Sequence, residues 1–208
     1  LASFLAPTRY LEDRSRAMKK PRIISFGEVL WDLFPDGGRF GGAPANFACH
    51  AALQGAEVTI CTAVGDDSYG DDAIRILSEY DIDVSLVQTV ATAPTGTASV
   101  NLDDEGKPSF LFQDNSAWDQ LQWTDDIATK ILSADAICFG TLGQRSEMAR
   151  QTTQRALEVA GRAKIPRVVD INLRPPFFDA KIIRESIQLA SILKMSDEEV
   201  ETVCAVFE

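Results

Sequence analysis

The 208-residue sequence predicts an α/β fold: a mainly parallel sheet flanked by helices, with a small second β-sheet. Two observations carry this. From Thr124 onward, short β-branched runs alternate with stretches of helical length, the pattern of βαβ units with right-handed crossovers. Nearer the start, Thr95–Leu102 and Ser109–Phe112 flank Asp103-Asp104-Glu105-Gly106-Lys107, as the strands of a hairpin flank a five-residue loop containing Gly. A chain of this length buries one substantial core.

In order, Arg22–Gly27 reads as a buried first strand, continued with rough alternation by Glu28–Phe34. Asp36-Gly37-Gly38 is a turn. Asn46–Leu53 is an Ala-rich helix, Glu57–Val64 a strand, Tyr69–Tyr80 a helix through Ala73, Ile74 and Leu77, and Val84–Val90 an extended run. These early extended segments do not fit the parallel sheet as crossovers and are read as a small β subdomain on its edge, its strands drawn from about 28–40 and 95–113. Thr124 caps a helix to Ser133. Then follow a strand at Ala136–Gly140, a helix at Ser146–Lys164, a strand at Arg167–Ile171 and a helix at Asp179–Ala190. A strand at Ser191–Met195 and a helix at Ser196–Phe207 complete the alternation. Residues 22–208 form the α/β domain and 1–21 an extension. Leu1–Ala17 lacks the charge-first order of a signal peptide, so Met18 reads as the natural start and the leader as poorly ordered.

An apolar share of 45% and a charged share of 25% belong to an ordinary soluble domain. The net charge of −11, with no basic run, argues against nucleic acid or anionic membrane as a partner. No apolar run is long enough to span a bilayer. Cys49, Cys61, Cys138 and Cys204 lie far apart, which predicts reduced, buried thiols in a cytoplasmic protein. His50 is the only histidine, so a metal centre or a Ser-His-Asp arrangement has little to build on.

Chemistry gathers at Gly41-Gly42-Ala43-Pro44-Ala45-Asn46. A glycine pair lets backbone approach a ligand, and Pro44 suits the first turn of a helix. Asn46 sits where free N–H groups collect, and its amide both donates and accepts. Such a corner suits a ligand with several hydroxyls. Asp32, just ahead of it, supplies a carboxylate able to accept two of them. Gly37/Gly42 and Gly65/Gly70 have the spacing of a P-loop, but neither pair is followed by Lys-Ser/Thr.

Gly41-Gly42 with Asn46, Ala48, Gly55 and Gly65 resembles the first signature of the ribokinase/PfkB family of carbohydrate kinases, and the resemblance runs from about Arg22 to Glu208. It implies a ribokinase-like fold whose hairpin, entered through Thr95-Gly96-Thr97-Ala98, is a lid over the sugar, with Phe110 and Phe112 as shields. The sugar contacts implied are Asp32, Gly41, Gly42, Asn46 and Phe112. Gly65-Asp66-Asp67 with Gly70 is a further family motif, read as a structural helix start. Where members acting on keto-acid sugars carry Tyr and Arg, this chain has Gln113-Asp114-Asn115, and Asp114 would repel an anion. Ala117-Trp118-Asp119 is similar to fructokinase-like members.

Asp170-Ile171-Asn172-Leu173-Arg174 is similar to the family's Asp-x-Asn-x-Arg, which implies Asn172 and Arg174 on the ATP phosphates, where a guanidinium fork fits. Lys194 to Glu199 stands where the family has Asn-x-x-Glu, with Ser196 replacing the Asn. It implies Lys194 on the phosphate side and Glu199 holding the Mg²⁺ of Mg·ATP through water. Ser-x-x-Glu is equally a capping box. The family's base lies in an Asp-Thr-x-Gly-Ala-Gly-Asp motif that has no counterpart here. The base is therefore expected beyond Glu208, where the sequence stops inside an apolar-periodic helix and reads as cut short. The resulting expectation is an ATP-dependent kinase of a neutral sugar, fructose by preference. The alternatives are an inactive sugar-binding fragment, or a keto-acid sugar or nucleoside kinase of the same fold. Solitary lid strands would leave open edges, and similar kinases pair their lids, so a homodimer through the lid is expected.

Overall fold

A computed structural model describes residues 19–102 and 108–208. The leader, Met18 and the hairpin tip Asp103–Lys107 lie outside the described residues. The first described strand lies in the middle of the main sheet. β1 (Arg22–Phe26) is flanked by β4 (Glu57–Gly65) and β8 (Ala136–Gly140), with β5 (Asp83–Val90) outside β4. Beyond β8 come β9 (Arg167–Asp170) and β10 (Ile192–Lys194). All five pairings are parallel. From β1 the chain runs outward through β4 to β5 and then returns to the far side of β1 as β8. The gap between β1 and β8 is thus the switch point at which open parallel sheets bind ligands.

Both faces of the sheet are covered, which is why its strands are apolar in near-continuous runs. In β4, Val58, Ile60 and Val64 point to the face packed by α1 (Ala43–Leu53) and α2 (Ser68–Glu79). Cys61 and Ala63 point to the opposite face. There they join Ile127 and Ile131 of α3 (Asp125–Ser133), Ala156 and Leu157 of α4 (Glu147–Arg162) and Ile183 of α5 (Ala180–Leu189). α1 presents Ala45 and Ala48 to the sheet, and such small residues let it lie close. The helices start where the sequence offers caps: Asp67, Thr124, Ser146 and Asp179 each accept the N–H three residues on. The last helix, α6 (Asp197–Ala205), starts with the Ser196/Glu199 capping box.

Four expectations are corrected. Glu28–Phe34 does not continue the first strand, because the chain turns at Gly27, and Leu30–Phe34 becomes β2 of the second sheet. Gly37–Gly41, half of it read as a turn, is strand β3 paired antiparallel to β2. Glu57–Gly65 and Asp83–Val90 belong to the main sheet, not the small one, since both their faces are needed by helices. The thiols are not uniformly buried: Cys61 and Cys138 are, Cys49 is half-buried, and Cys204 is exposed because α6 buries only Val203.

The second sheet has the order β3-β2-β6-β7, with β6 (Gly96–Leu102) parallel to β2 and antiparallel to β7 (Pro108–Phe112). Asp67 ties its base to the core. Its Oδ1 accepts from Gly70 N and Thr95 Oγ1 at 2.9 and 2.7 Å, and its Oδ2 accepts from Thr95 N at 2.7 Å. Beside this tie Gly96 lies on the ring of Trp118, in a short 3₁₀ turn at Ala117–Gln120, so closely that a Cβ would stand 1.7 Å from a ring carbon. Trp118 is buried and cannot yield. Gly96→Ala is therefore expected to cost about 2 kcal/mol or more of stability, as overpacking does. Urea unfolding of the variant beside wild type measures it, and an unchanged midpoint would refute the contact.

Candidate active site

At the switch point lies a cavity of about 410 Å³ between the C-terminal ends of the central strands, the start of α1 and the second sheet. The glycine pair creates it. Gly42 has φ 102°, and a Cβ there would stand 2.6 Å from the Glu28 carbonyl oxygen. A Cβ on Gly41 would meet Asp32 Oδ2 at 2.5 Å. Without Gly42 the helix start could not come so close to the turn after β1, and without Gly41 the Asp32 carboxylate would lose its place. α1 then begins with Asn46 N donating to Gly42 O at 2.9 Å, and the buried Ser25 hydroxyl pins it by donating to Pro44 O at 2.7 Å.

Asp32, Gly42, Asn46, Phe112, Asn172 and Arg174 all line this cavity, together with Phe110. Gly41 does not line it but packs behind Asp32. Burial raises the Asp32 carboxyl above its ordinary value, against the pull of Arg174. Phe110 and Phe112 stack at 6.2 Å between centroids, the alternation placing both on the inner side. Asn172 takes φ 39°, a left-handed turn that Asn tolerates, which swings the chain past the end of β9 and aims Arg174 back at the cavity. The Arg174 guanidinium sits 5.8 Å from the Phe110 ring centroid and donates to Leu173 O at 3.1 Å.

A narrower space of about 210 Å³ adjoins it, sharing Glu28, Asp170 and Asn172 as walls. Lys194 lines this second space, its ammonium 2.9 Å from both oxygens of Asp170. Glu199 lines neither space. Its Oε2 accepts Ser196 N at 2.8 Å, completing the cap, and its Oε1 accepts Leu173 N at 2.6 Å, holding the loop that carries Arg174. Among the described residues no cluster of three or more His, Cys, Asp or Glu is arranged to hold a metal. Asp114 is not in the sugar corner: with Asp119 and Arg145 it lines a separate cleft of about 490 Å³.

Sequence reasoning missed Glu28. It is 2% exposed, stands in the wall between the two spaces, and accepts Ala43 N at 3.3 Å through Oε1. Its Oε2 is buried without a partner. Burial pushes its carboxyl up to about 7, against its own N–H, that of Ala43, and the charges of Arg174 and Arg145. The signal was a lone acid in the apolar run from Ile23 to Leu30.

A polyol-sized corner of glycines, amide and carboxylates, faced by a guanidinium at a parallel-sheet switch point, defines a small-molecule site of the open α/β class. Residues 36–207 match the model described as pfkB family carbohydrate kinase, and the chain belongs to this family, with its ribokinase-like fold. It is 30% identical over 205 residues to probable fructokinase-2 of Arabidopsis thaliana, covering 90% of this chain and 62% of that one. Against the fructokinase of Klebsiella pneumoniae it is 30% identical over 188 residues, with 86% and 61% covered. An uncharacterized sugar kinase of Pyrococcus horikoshii, solved in complex with ATP, superposes with a TM-score of 0.78 at 29% identity, over 88% of this chain and 66% of that one. The chain spans about three fifths of the length of the curated relatives it matches.

The buried acid gives a pH test. Between its ordinary value of 4.5 and about 7, folded Glu28 holds a proton that the unfolded chain has lost. Its contribution to stability therefore falls as pH rises through this window. Glu28→Gln is expected to gain on wild type, in denaturant midpoint, from pH 5 to pH 8. A constant difference would show that Glu28 titrates as an ordinary surface acid.

Proposed function

We propose that the protein is an ATP-dependent sugar kinase that transfers the γ-phosphate to a hydroxyl of a neutral sugar, fructose by preference. The observation that carries this is the convergence of Asp32, Gly42, Asn46, Phe112 and Arg174 on one cavity of about 410 Å³, within the roughly 300–1,000 Å³ of small-molecule sites. Asp32 and Asn46 take sugar hydroxyls, Gly42 leaves room for the ring while Gly41 makes room for the Asp32 carboxylate, and Phe110 and Phe112 shut out water. The preference for fructose rests on the fructokinases of Arabidopsis and Klebsiella at 30% identity. The carboxylates of Asp32 and Glu28, set against the single guanidinium of Arg174, disfavour an acidic sugar.

Asn172, Arg174 and Lys194 form the phosphate side, consistent with the ATP in the similar Pyrococcus structure. Asn172 lines both spaces, and Arg174 faces the larger one, the corner where a hydroxyl would meet the phosphoryl group. Phosphoryl transfer depends chiefly on positioning and on neutralising charge, and Mg²⁺ bound with ATP supplies part of that neutralisation. Glu199 lines neither space and would act on the ion only through water, for which each oxygen, accepting one N–H, keeps a further lone pair. No residue here is assigned as the base. Among the described residues no helix is long and apolar enough to cross a membrane, and we place the protein in the cytoplasm.

Fructose-dependent ADP release from Mg·ATP by the whole protein tests this reading. Release that is no faster with fructose than without would overturn it. Asp32→Ala is expected to weaken fructose use at least tenfold, about the loss of one charge-assisted hydrogen bond, and Asn46→Ala by up to about tenfold, the loss of a neutral one, with unchanged circular dichroism. Wild-type kinetics in both variants would remove the corner from the site.

We also infer a homodimer through the lid. β3 and β7 are its open edges, and Leu111 on β7 is 69% exposed beside the half-buried inner face. Light scattering at micromolar concentration is expected to give twice the chain mass, and Leu111→Asp one chain mass. A monomeric wild type would count against the lid pairing.

A further inference from the structure

The start of α1 lacks the usual means of satisfying its first donors. Gly42 stands at the N-cap and has no side chain to offer, and no side-chain cap is made there. Pro44 has no N–H, so the free donors of the first turn are those of Ala43 and Ala45, and only Ala43 finds a side-chain acceptor. Its partner comes from fifteen residues upstream: Glu28 Oε1, at 3.3 Å. The carboxylate also sits where helix dipole favours negative charge. Its own place is tightly made. A Cβ on Gly143, in the 3₁₀ turn Leu142–Gln144, would stand 3.2 Å from Glu28 Oε2 and 2.9 Å from Gly27 Cα. Three segments thus close on one acid, whose second oxygen has no partner. Leaving a buried polar atom unpaired is costly, and natural cores avoid it unless the group has work to do.

We propose that Glu28 is a positioning residue of the sugar corner: its carboxylate fixes the Ala43 N–H, and through it the Gly41-Gly42 entry of α1, in the geometry that the sugar meets. This rests on the reading of that corner as a sugar site. Glu28 stands in the cavity wall and bonds the helix start there, so its effect falls on sugar affinity. The ionised form grips the N–H more strongly than the neutral form. Arg174, from the loop after β9, and Arg145, after the 3₁₀ turn, favour that ionised form. Burial opposes it most; Asp32 on β2 and Asp170 at the end of β9, the latter paired with Lys194, are the other acids facing the same spaces. The balance leaves Glu28 exchanging its proton near neutral pH. Sugar affinity is therefore highest above that point and declines as pH falls through it.

Calorimetry with fructose at pH 6 and pH 8 tests this on wild type, Glu28→Gln and Glu28→Ala. Wild-type affinity is expected to fall by up to about tenfold from pH 8 to pH 6, the limit for one linked proton near 7. Glu28→Gln keeps the acceptor but not the charge, and should bind at both pH values as wild type does at pH 6. Glu28→Ala should bind more weakly than either while keeping the wild-type circular dichroism. A wild-type slope in Glu28→Gln, or wild-type affinity in Glu28→Ala, would overturn the proposal. Should fructose bind to no form at either pH, the sugar reading fails by itself, and hydrogen exchange at Ala43 decides Glu28. Protection of that amide beyond its helix neighbours, greater at pH 8 and lost in Glu28→Ala, supports the role; equal protection in Glu28→Ala refutes it.

Discussion

No side chain fits between Gly42 and the carbonyl of Glu28, and the architecture around the cavity follows from that close approach. Because the helix start can touch the turn after β1, the first residues of α1 lie over the switch point of the sheet. Because Gly41 leaves space for the Asp32 carboxylate, the second sheet can lean inward on the same spot. A methyl group at Gly42 would push apart the two halves that the cavity needs together, and one at Gly41 would displace the Asp32 carboxylate.

The charges around the cavity divide into those already satisfied by protein and those held open. Lys194 is paired with Asp170, and Glu199 is engaged by two backbone N–H groups. Arg174 makes one bond to a carbonyl and rests near the Phe110 ring, which leaves most of its fork directed at the cavity. Arg145 is the contrast. It lies between Trp118 and Phe177, 4.6 and 4.8 Å from their ring centroids, and is bonded to both oxygens of Asp119, so it braces the base of the lid. Two arginines near one acid therefore differ in purpose through their partners alone.

Much of this was legible in the sequence. The alternation after Thr124 specified every later strand and helix to within two residues, because βαβ periodicity and Ser, Thr and Asp caps are local signals. Asp32, Asn46 and Arg174 were legible as a group only through motif order, since nothing local says that residues 32 and 174 meet. What was misread depended on partners distant in sequence. Whether Glu57–Gly65 joins the large or the small sheet is decided by β1 and by helices on both faces, and a strand's own residues do not name its neighbours. Glu28 was missed for a related reason: an acid in an apolar run resembles a strand boundary until the helix start that it caps is placed beside it.

The central place of β1 also has a consequence in time. On one side it pairs with β4, but on the other it waits for β8, whose partners lie 113 residues further along, as with Ala136 opposite Ile23. At ribosomal rates of about 5–20 residues per second, that delay is roughly 6–23 s. Throughout it, the apolar edge of β1 stands open on the nascent chain, a long-range closure that low contact order would avoid. The ligand corner, which needs β8 and β9 for its far wall, is assembled only when that edge is sealed. The middle of this sheet is thus made well before it is sealed.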